Sequence, residues 1–419
     1  MATPVADPAA IAAVQDILRE VWVADALESQ LLEETILLDW IEDVTDYTDS
    51  DGLRASVPLR TGRSGGISSR HIGATLGPAG HQRVAKAYYN YTFHYATVKI
   101  LGPIVAKMKT QRQAAVREVD FEVKTVLEDA KQDLQRQLQC DGTGALGTVA
   151  DNGGGVATIV VTDALGKHAI RCGWIYEGMW LDGGSLANPT LRFQGQQVID
   201  IDTDTNTITL DATVDTIDAN TVLFRYGNRT AAAGSAEMMG LDGIIKSTGT
   251  LGGIDPTSSG NKYWRATTLG NSGTLRAMSI DLLMQVEQKL RQRGGKSELL
   301  TGDLDQERAY YNLLEPKVRF IGDKKMSEGN LNGLEFNGKV FVGDPHHIPH
   351  KVRFLNKKSL FQISAGPMTW QNQTTGGDIL AWSQGEDAFV ARAAKYGNLA
   401  TDHRRGLGAL EDLQGFTGG

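Results

Sequence analysis

Tyr88-Tyr89-Asn90-Tyr91-Thr92-Phe93-His94-Tyr95-Ala96-Thr97-Val98-Lys99-Ile100 runs into Leu101-Gly102-Pro103, and the helical pattern that follows stops at Cys140-Asp141-Gly142-Thr143-Gly144-Ala145-Leu146-Gly147. The first stretch alternates like a strand, with Tyr89, Tyr91, Phe93 and Tyr95 on one side and Asn90, Thr92 and His94 on the other. Pro103 is tolerated in a first helical turn. Beyond it, Ile104, Met108, Ala115, Val119, Val123, Val126, Ala130, Leu134 and Leu138 recur at spacings of three, four and seven, which makes one apolar stripe along a helix. About 37 residues at helical rise span about 55 Å, and Gly142 and Gly144 end the run. An extended ribbon feeding so long a helix suits a part that touches neighbours. It points to shell building rather than to chemistry.

Upstream, Leu53, Ala55, Val57 and Leu59 share one face and Arg54, Ser56 and Arg60 the other, so residues 52–100 read as a β-ribbon. Its tip, Thr61 to Gly80, is rich in Gly, Ser and Arg. A two-stranded ribbon is marginal alone, and the sequence names no surface of the chain's own core for it to lie on. Residues 9–43 read as helix, with Ile11, Val14, Leu18, Val21, Leu27, Leu31, Ile36, Leu38 and Ile41 at roughly helical spacing and Asp7-Pro8 as its start. Residues 155–230 read as a small all-β module: Val156–Thr162, Trp174–Leu181, Leu191–Phe193, Gln197–Asp202, Thr207–Leu210 and Val222–Tyr226 are short strand-like runs between turns. A helix is expected over Thr274–Arg293, ended by Gly294-Gly295. Strands follow near Glu298–Thr301, Gly338–Val342, Val352–Leu355 and Ala388–Tyr396.

The 419 residues, 41% hydrophobic and 22% charged, are those of an ordinary globular chain with room for two or three domains. No run of about 18 apolar residues exists, which excludes a helical membrane span. Met1 to Asp7 lacks the regions of a secretory signal, and two cysteines, Cys140 and Cys172, make no disulfide framework. A cytoplasmic product with reduced thiols is expected. The net charge of −8 argues against general nucleic-acid binding. Its distribution is uneven. Residues 1–50 hold twelve acids, Glu28, Glu33, Glu34 and Asp39 among them, against Arg19. Residues 51–100 hold Arg54, Arg60, Arg63, Arg70, Arg83, Lys86 and Lys99 against Asp51. Two solvated faces account for this; the sharper reading is complementarity between segments across a subunit interface.

Catalytic signals are weak. Asp344-Pro345-His346-His347-Ile348-Pro349-His350 gathers three imidazoles and a carboxylate that could hold zinc, but two prolines break any helical alignment, so a surface loop is expected. Asp200, Asp202 and Asp204 mimic a calcium loop, yet Thr205 and Asp211 stand where Gly and Glu belong, so a strand edge and turn fit better. Gly294-Gly295-Lys296-Ser297 follows a helix instead of opening one, unlike a phosphate loop. No nucleophile elbow occurs, and neither cysteine sits in a catalytic signature. No cofactor, metal or catalytic residue is expected.

The order of these blocks resembles that of a tailed-bacteriophage major capsid protein with the Hong Kong 97-like capsid fold. The matching parts are an arm (Val5 to Tyr47), an extended loop (Thr48 to Ile100), a spine helix (Pro103 to Cys140) and the Asp141-Gly142-Thr143-Gly144 exit. Met239-Gly240-Leu241-Asp242-Gly243-Ile244, Arg291 to Gly295, and Asp387-Ala388-Phe389-Val390 through Tyr396-Gly397-Asn398-Leu399 match later blocks. The resemblance covers most of the chain outside roughly 155–230. It implies an α+β fold divided into an arm (1–48), extended loop (49–101), spine helix of a peripheral domain (102–141), axial domain (142–154 and 231–350), inserted β-rich module (155–230) and return strands with the C-terminus (351–419).

It further implies hexamers and pentamers of the chain closing an icosahedral head around double-stranded DNA held without sequence-specific contacts, in a virion assembled in the host bacterial cytoplasm. Arm and loop would lie over adjacent subunits. This makes Arg54, Arg60, Arg63, Arg70, Arg83, Lys86, Tyr89 and Tyr91, with Glu28, Glu33, Glu34 and Asp39, the candidate inter-subunit contacts. The arm begins almost at Met1, so a separate scaffolding protein is expected beside the portal, and a decoration protein is a further candidate partner. The tip holds no Lys, so covalent cross-linking is not expected. The alternatives are an encapsulin-type shell for cargo enzymes and, more distantly, a metal-dependent hydrolase using His346, His347 and His350.

Overall fold

The computed structural model describes residues 36–45, 54–73, 75, 79–102, 112–150, 155–187, 191–230, 234–314, 334–374, 379–383 and 385–415. Most of the expected arm helix and its Asp7-Pro8 start lie outside these, as does the Pro103 end of the long helix. The arm contributes a short helix, Ile36–Trp40, and a strand, Glu42–Val44.

The long helix is described from Arg112 to Gln139, about 42 Å at helical rise. Leu134 to Cys140 are buried on all sides, so its last turns are core rather than surface. The helix stops because the chain turns through positive φ at Gly142 and Gly144, a region open to glycine at little cost. Its last carbonyls are taken up by distant donors: Arg353 Nη2 donates to Gln139 O at 2.9 Å and Asp242 N to Cys140 O at 3.2 Å. The segment around Gly240 presses so closely on this end that a Cβ there would stand 2.3 Å from Gln137 O and Cys140 O.

In the ribbon, Arg54–Gly62 pairs antiparallel with Arg83–Asn90, Val57 opposite Ala87 and Leu59 opposite Ala85. Contrary to the sequence reading, the chain's own core supports it. Ala55, Val57, Leu59, Ala87 and Tyr89 are buried in one cluster with Leu251, Ile254, Trp264 and Leu355. Small residues permit this approach: Tyr88 N donates to Gly252 O at 3.0 Å, and a Cβ on Gly252 would meet Ala87 Cβ at 2.8 Å.

The strand expected to run unbroken from Tyr88 to Ile100 divides at Tyr91. Thr92–Leu101 belongs to a different sheet, paired with Ala388–Thr401. The buried parity flips at the division: Ala87, Tyr89 and Tyr91 are inside before it, Ala96, Val98 and Ile100 after it. Phe93 and Tyr95 therefore face outward, 50% and 57% exposed, instead of sharing the face of Tyr89. The 14-residue Ala388–Thr401 strand is the axis of this sheet. Its other edge carries Leu360–Ser364, Thr369–Trp370 and Ala381–Trp382, and Glu42–Val44 joins Leu360–Ser364 in parallel.

A second six-stranded sheet orders Thr267–Leu269, Gly408–Leu410, Val352–Leu355, Leu299–Gly302, Lys339–Gly343 and Leu334–Phe336. The helix beside it spans Ile280–Gln292, starting later than expected because Ser279 caps it, its hydroxyl accepting from Leu282 N at 3.2 Å. Gly294, at φ +81°, closes it, which is the structural use of the Gly-Gly pair. The helix Leu304–Leu314 on this sheet was not foreseen.

A third six-stranded sheet orders Ala145–Thr148, Val222–Arg225, Trp180–Gly184, Leu191–Asp202, Thr207–Val214 and Val156–Val160 around its own core. Two expectations fail here. The unit is not all-β: Ala164–Arg171 is a helix, with Asp163 Oδ1 accepting from Gly166 N and Thr148 N. It also begins before 155, because Ala145–Thr148 is one of its strands. Trp174 and Ile175 lie in a buried turn rather than in the expected Trp174–Leu181 strand. The Asp200–Asp204 run is a hairpin corner in which Asp202 Oδ1 accepts from Asp204 N and Thr205 N.

Candidate assembly surfaces

The six basic candidates of the ribbon, Arg54, Arg60, Arg63, Arg70, Arg83 and Lys86, are all exposed. Three of them meet local groups: the Arg54 guanidinium lies 4.9 Å from the Tyr88 ring centre, Arg60 Nε donates to Gln82 Oε1, and Arg70 Nε to Ser68 Oγ. Past Gly62 the chain leaves the strand, and nearly every side chain from 63 to 73 is exposed. Ile67 and Ile72, at 82% and 107%, are bare isoleucines between arginines. Exposed apolar side chains flanked by charge are the composition of a contact surface.

Tyr89 and Tyr91 are a correction. They are 4% and 7% exposed within the chain's own core, and Tyr89 Oη donates to Thr401 O at 2.9 Å, which removes both from a neighbour's reach. Among the acids, Asp39 is exposed, and Glu28, Glu33 and Glu34 lie outside the described residues. Two arm acids are met inside the chain: Glu42 by Lys357 at 3.5 Å and Asp43 by Lys395 at 3.1 Å.

The histidine segment is not a surface loop. Asp344, His346 and His347 are buried between the end of the long helix and the third sheet. Asp344 Oδ2 accepts from Gln135 Nε2 and Gln139 Nε2, and Oδ1 from His346 N. Cys172 Sγ donates to Pro345 O at 3.0 Å. Trp174 Nε1 donates to His346 Nδ1 at 2.9 Å, with His168 edge-on to the same indole. An indole N–H only donates, so the proton of neutral His346 sits on Nε2. Burial pushes the Cys172 thiol up to about 12 and the Asp344 carboxyl up to about 6. Among the described residues no three His, Cys, Asp or Glu side chains gather into a metal-holding group. The segment joins parts of the fold.

Burial, and then the charge of Arg136, holds His346 down to about 4. The unfolded chain takes up this proton near the ordinary 6.5, the native chain only near 4. The contribution to stability is thus complete above pH 6.5 and lost as pH falls from 6.5 towards 4, about 3 kcal/mol in all. His346→Gln keeps an acceptor for Trp174 and is expected to remove this component. Urea midpoints of the variant should fall less than the parent's between those pH values; parallel profiles would refute it.

A network missed in the sequence lies beneath the same region. Arg136 makes two bonds to Glu237, at 2.7 and 3.1 Å, and one to Asp133 at 3.0 Å; Arg225 reaches Asp133 at 3.1 Å. It ties the long helix to the third sheet and to the segment before Gly240.

No protein-family model matches the chain, and no curated protein does. Solved structures do. The chain is similar to the capsid protein of cyanophage A-1(L), 14% identical, covering 93% of this chain and 95% of that one with a TM-score of 0.54. The capsid of a native GTA particle is 9% identical over 98% and 100%, TM-score 0.49, and the SrpI encapsulin of Synechococcus elongatus 8% identical over 100% of both, TM-score 0.46. Taken with the ribbon, the long helix and the sheets above, the likeness to the cyanophage protein shows that this chain has the α+β fold of that capsid subunit.

Proposed function

We propose that the chain is a major capsid protein that assembles as hexamers and pentamers into an icosahedral head enclosing double-stranded DNA. The observation that carries this is the end-to-end likeness to a capsid subunit, 93% of one chain against 95% of the other. The ribbon supports it, because its exposed tip presents bare isoleucines and arginines that an isolated enzyme would not need. The role is structural, with no catalytic step. In this reading the long helix and the Ala388–Thr401 sheet form the peripheral domain, and the Leu299–Gly302 sheet forms the axial domain meeting at the five- and six-fold centres. The third sheet, with Ala145–Thr148 among its strands, belongs to an inserted accessory module. A separate scaffolding protein, a portal and a decoration protein are the expected partners, and the virion the final location. Acidic overall character suits the container, since a negative inner wall does not hold down the genome.

Electron microscopy of the chain expressed alone, and then with its genomic neighbours, tests this. Closed shells or free pentamers and hexamers are expected. A monodisperse small species under both conditions would overturn the reading, and shells filled with protein cargo instead of DNA would favour the encapsulin type.

A further inference from the structure

The long helix, the Thr92–Leu101 strand and the third sheet enclose an open cleft of about 690 Å³. Its rim is acidic and its charge is unbalanced. Asp133 and Glu237 are answered within the wall by Arg136 and Arg225. Asp129 and Glu177 are exposed at the rim, and among the described residues neither has a cation within ion-pair distance. Partial desolvation, and then the charge of Glu128, hold the Asp129 carboxyl above its ordinary value, which is how an acid short of positive charge behaves.

The strand side of the cleft is aromatic. Phe93 and Tyr95 line it, both exposed, and Tyr396, with ring centres 5.4 and 6.2 Å from theirs, is inclined across both and holds them. Aromatic faces attract cations. Tyr176 already has the Arg225 guanidinium 5.9 Å from its centre, whereas among the described residues no Lys or Arg lies over Phe93 or Tyr95. The buried end calls for the opposite group. His346 lines it at 3% exposure, and its Nε2 has no hydrogen-bond partner. With Nδ1 accepting from Trp174, Nε2 is a donor without an acceptor, which is costly inside a protein. Arg136 is near enough to act on the charge of this ring. It stands two turns beyond Asp129 on the helix, about 10 Å along the axis.

We propose that this cleft binds a small zwitterion of the ω-amino acid class, its ammonium between the acidic rim and the Phe93–Tyr95 wall and its carboxylate accepting from His346 Nε2. The aliphatic chain between the two ends covers Val126 and Ala130, which line the same space. A simple alkylamine satisfies only the rim, and a simple carboxylate only the histidine. The separation of the two ends selects a chain of several carbons over a short α-amino acid. The site is built from one chain and needs no neighbour, so it is independent of the shell-forming role.

Equilibrium dialysis of the full-length chain against labelled ε-aminohexanoate tests this. Saturable binding of one molecule per chain is expected, with hexylamine and hexanoate each about tenfold weaker because each lacks one end. Absence of saturable binding up to millimolar concentration would overturn the site, and hexylamine binding as tightly as ε-aminohexanoate would overturn the zwitterion assignment. Tyr95→Ala and Asp129→Asn change exposed side chains and should each weaken ε-aminohexanoate about tenfold. Unchanged affinity in both would place the bound molecule elsewhere and overturn the assignment. Where a variant folds poorly, the comparison of the three ligands on the unsubstituted chain decides. Binding by dissociated chains but not by assembled shells would mean that a neighbouring subunit fills the cleft, and that result too would overturn the proposal.

Discussion

Arg136→Met is expected to lower the unfolding free energy of the dissociated chain by about 3–5 kcal/mol, the cost of breaking one buried ion pair. The guanidinium is 3% exposed and the Glu237 side chain 1%. Its removal leaves Glu237 with Asn228 Nδ2 at 2.7 Å but without the bidentate cation. Asp133 fares better, keeping Arg225 and Gln137 Nε2. Burial opposes its charge, but Arg225 and Arg136 together hold its carboxyl well below the usual range, and the remaining arginine preserves part of that effect. The penalty therefore concentrates on Glu237. Arg136→Met combined with Glu237→Met should recover more than half of the loss, since apolar replacement of both partners is often nearly neutral. Urea unfolding of the parent, single and double variants checks this cycle. A single variant within 1 kcal/mol of the parent would show that the buried pair does not hold the joint.

Local pattern made some of this architecture legible and hid the rest for identifiable reasons. The long helix announces itself through its stripe and its glycine stop. The Leu299–Gly302, Lys339–Gly343 and Val352–Leu355 strands are apolar runs buried on both faces, readable within a residue or two. The division at Tyr91 is not readable, because aromatic residues continue at 89, 91, 93 and 95 while the chain changes sheets. Tyrosine suits both a buried and an exposed face, so the alternation carries no mark of the flip. The Ala164–Arg171 helix is masked by Gly166, a poor helix former. That glycine is required by contact: a Cβ there would meet Val161 Cγ1 at 2.0 Å and Gly147 Cα at 3.2 Å.

The candidate site divides the same way. The basic ribbon is a local feature and was read from charge alone. The histidine segment looked like a surface loop because Pro345 and Pro349 flank polar side chains, and its burial depends on partners 172 to 209 residues away in sequence. Arg136 and Glu237 stand 101 residues apart. A buried polar group is affordable only where distant segments supply its hydrogen bonds, and no window of sequence contains that information.

Arg404→Met should be comparably costly, at about 3–5 kcal/mol, and for a different reason: no carboxylate is left behind, but a set of carbonyls is. Arg404 is 1% exposed just past the Ala388–Thr401 strand. Its Nε donates to Ile244 O at 2.7 Å, Nη1 to Gly249 O and Trp264 O at 3.1 and 3.4 Å, and Nη2 to Thr248 O and Gly243 O at 3.3 and 3.5 Å. One planar fork thus gathers carbonyls of the 243–264 segment, on which Ala87 and Tyr88 at the base of the ribbon lie. Burial pushes the guanidinium down to about 10, which leaves it protonated at neutral pH. Lysine keeps the charge but offers a compact ammonium that cannot reach all five acceptors, so Arg404→Lys should recover less than half of the loss. The damage should also be local. Amide exchange is expected to accelerate in 243–264 and in Arg83–Asn90, while Leu191–Asp202 in the third sheet keeps its protection. Uniform acceleration across all three would mean that Arg404 sets global stability alone, and unchanged exchange would mean that the carbonyls find other donors and the ribbon is anchored elsewhere.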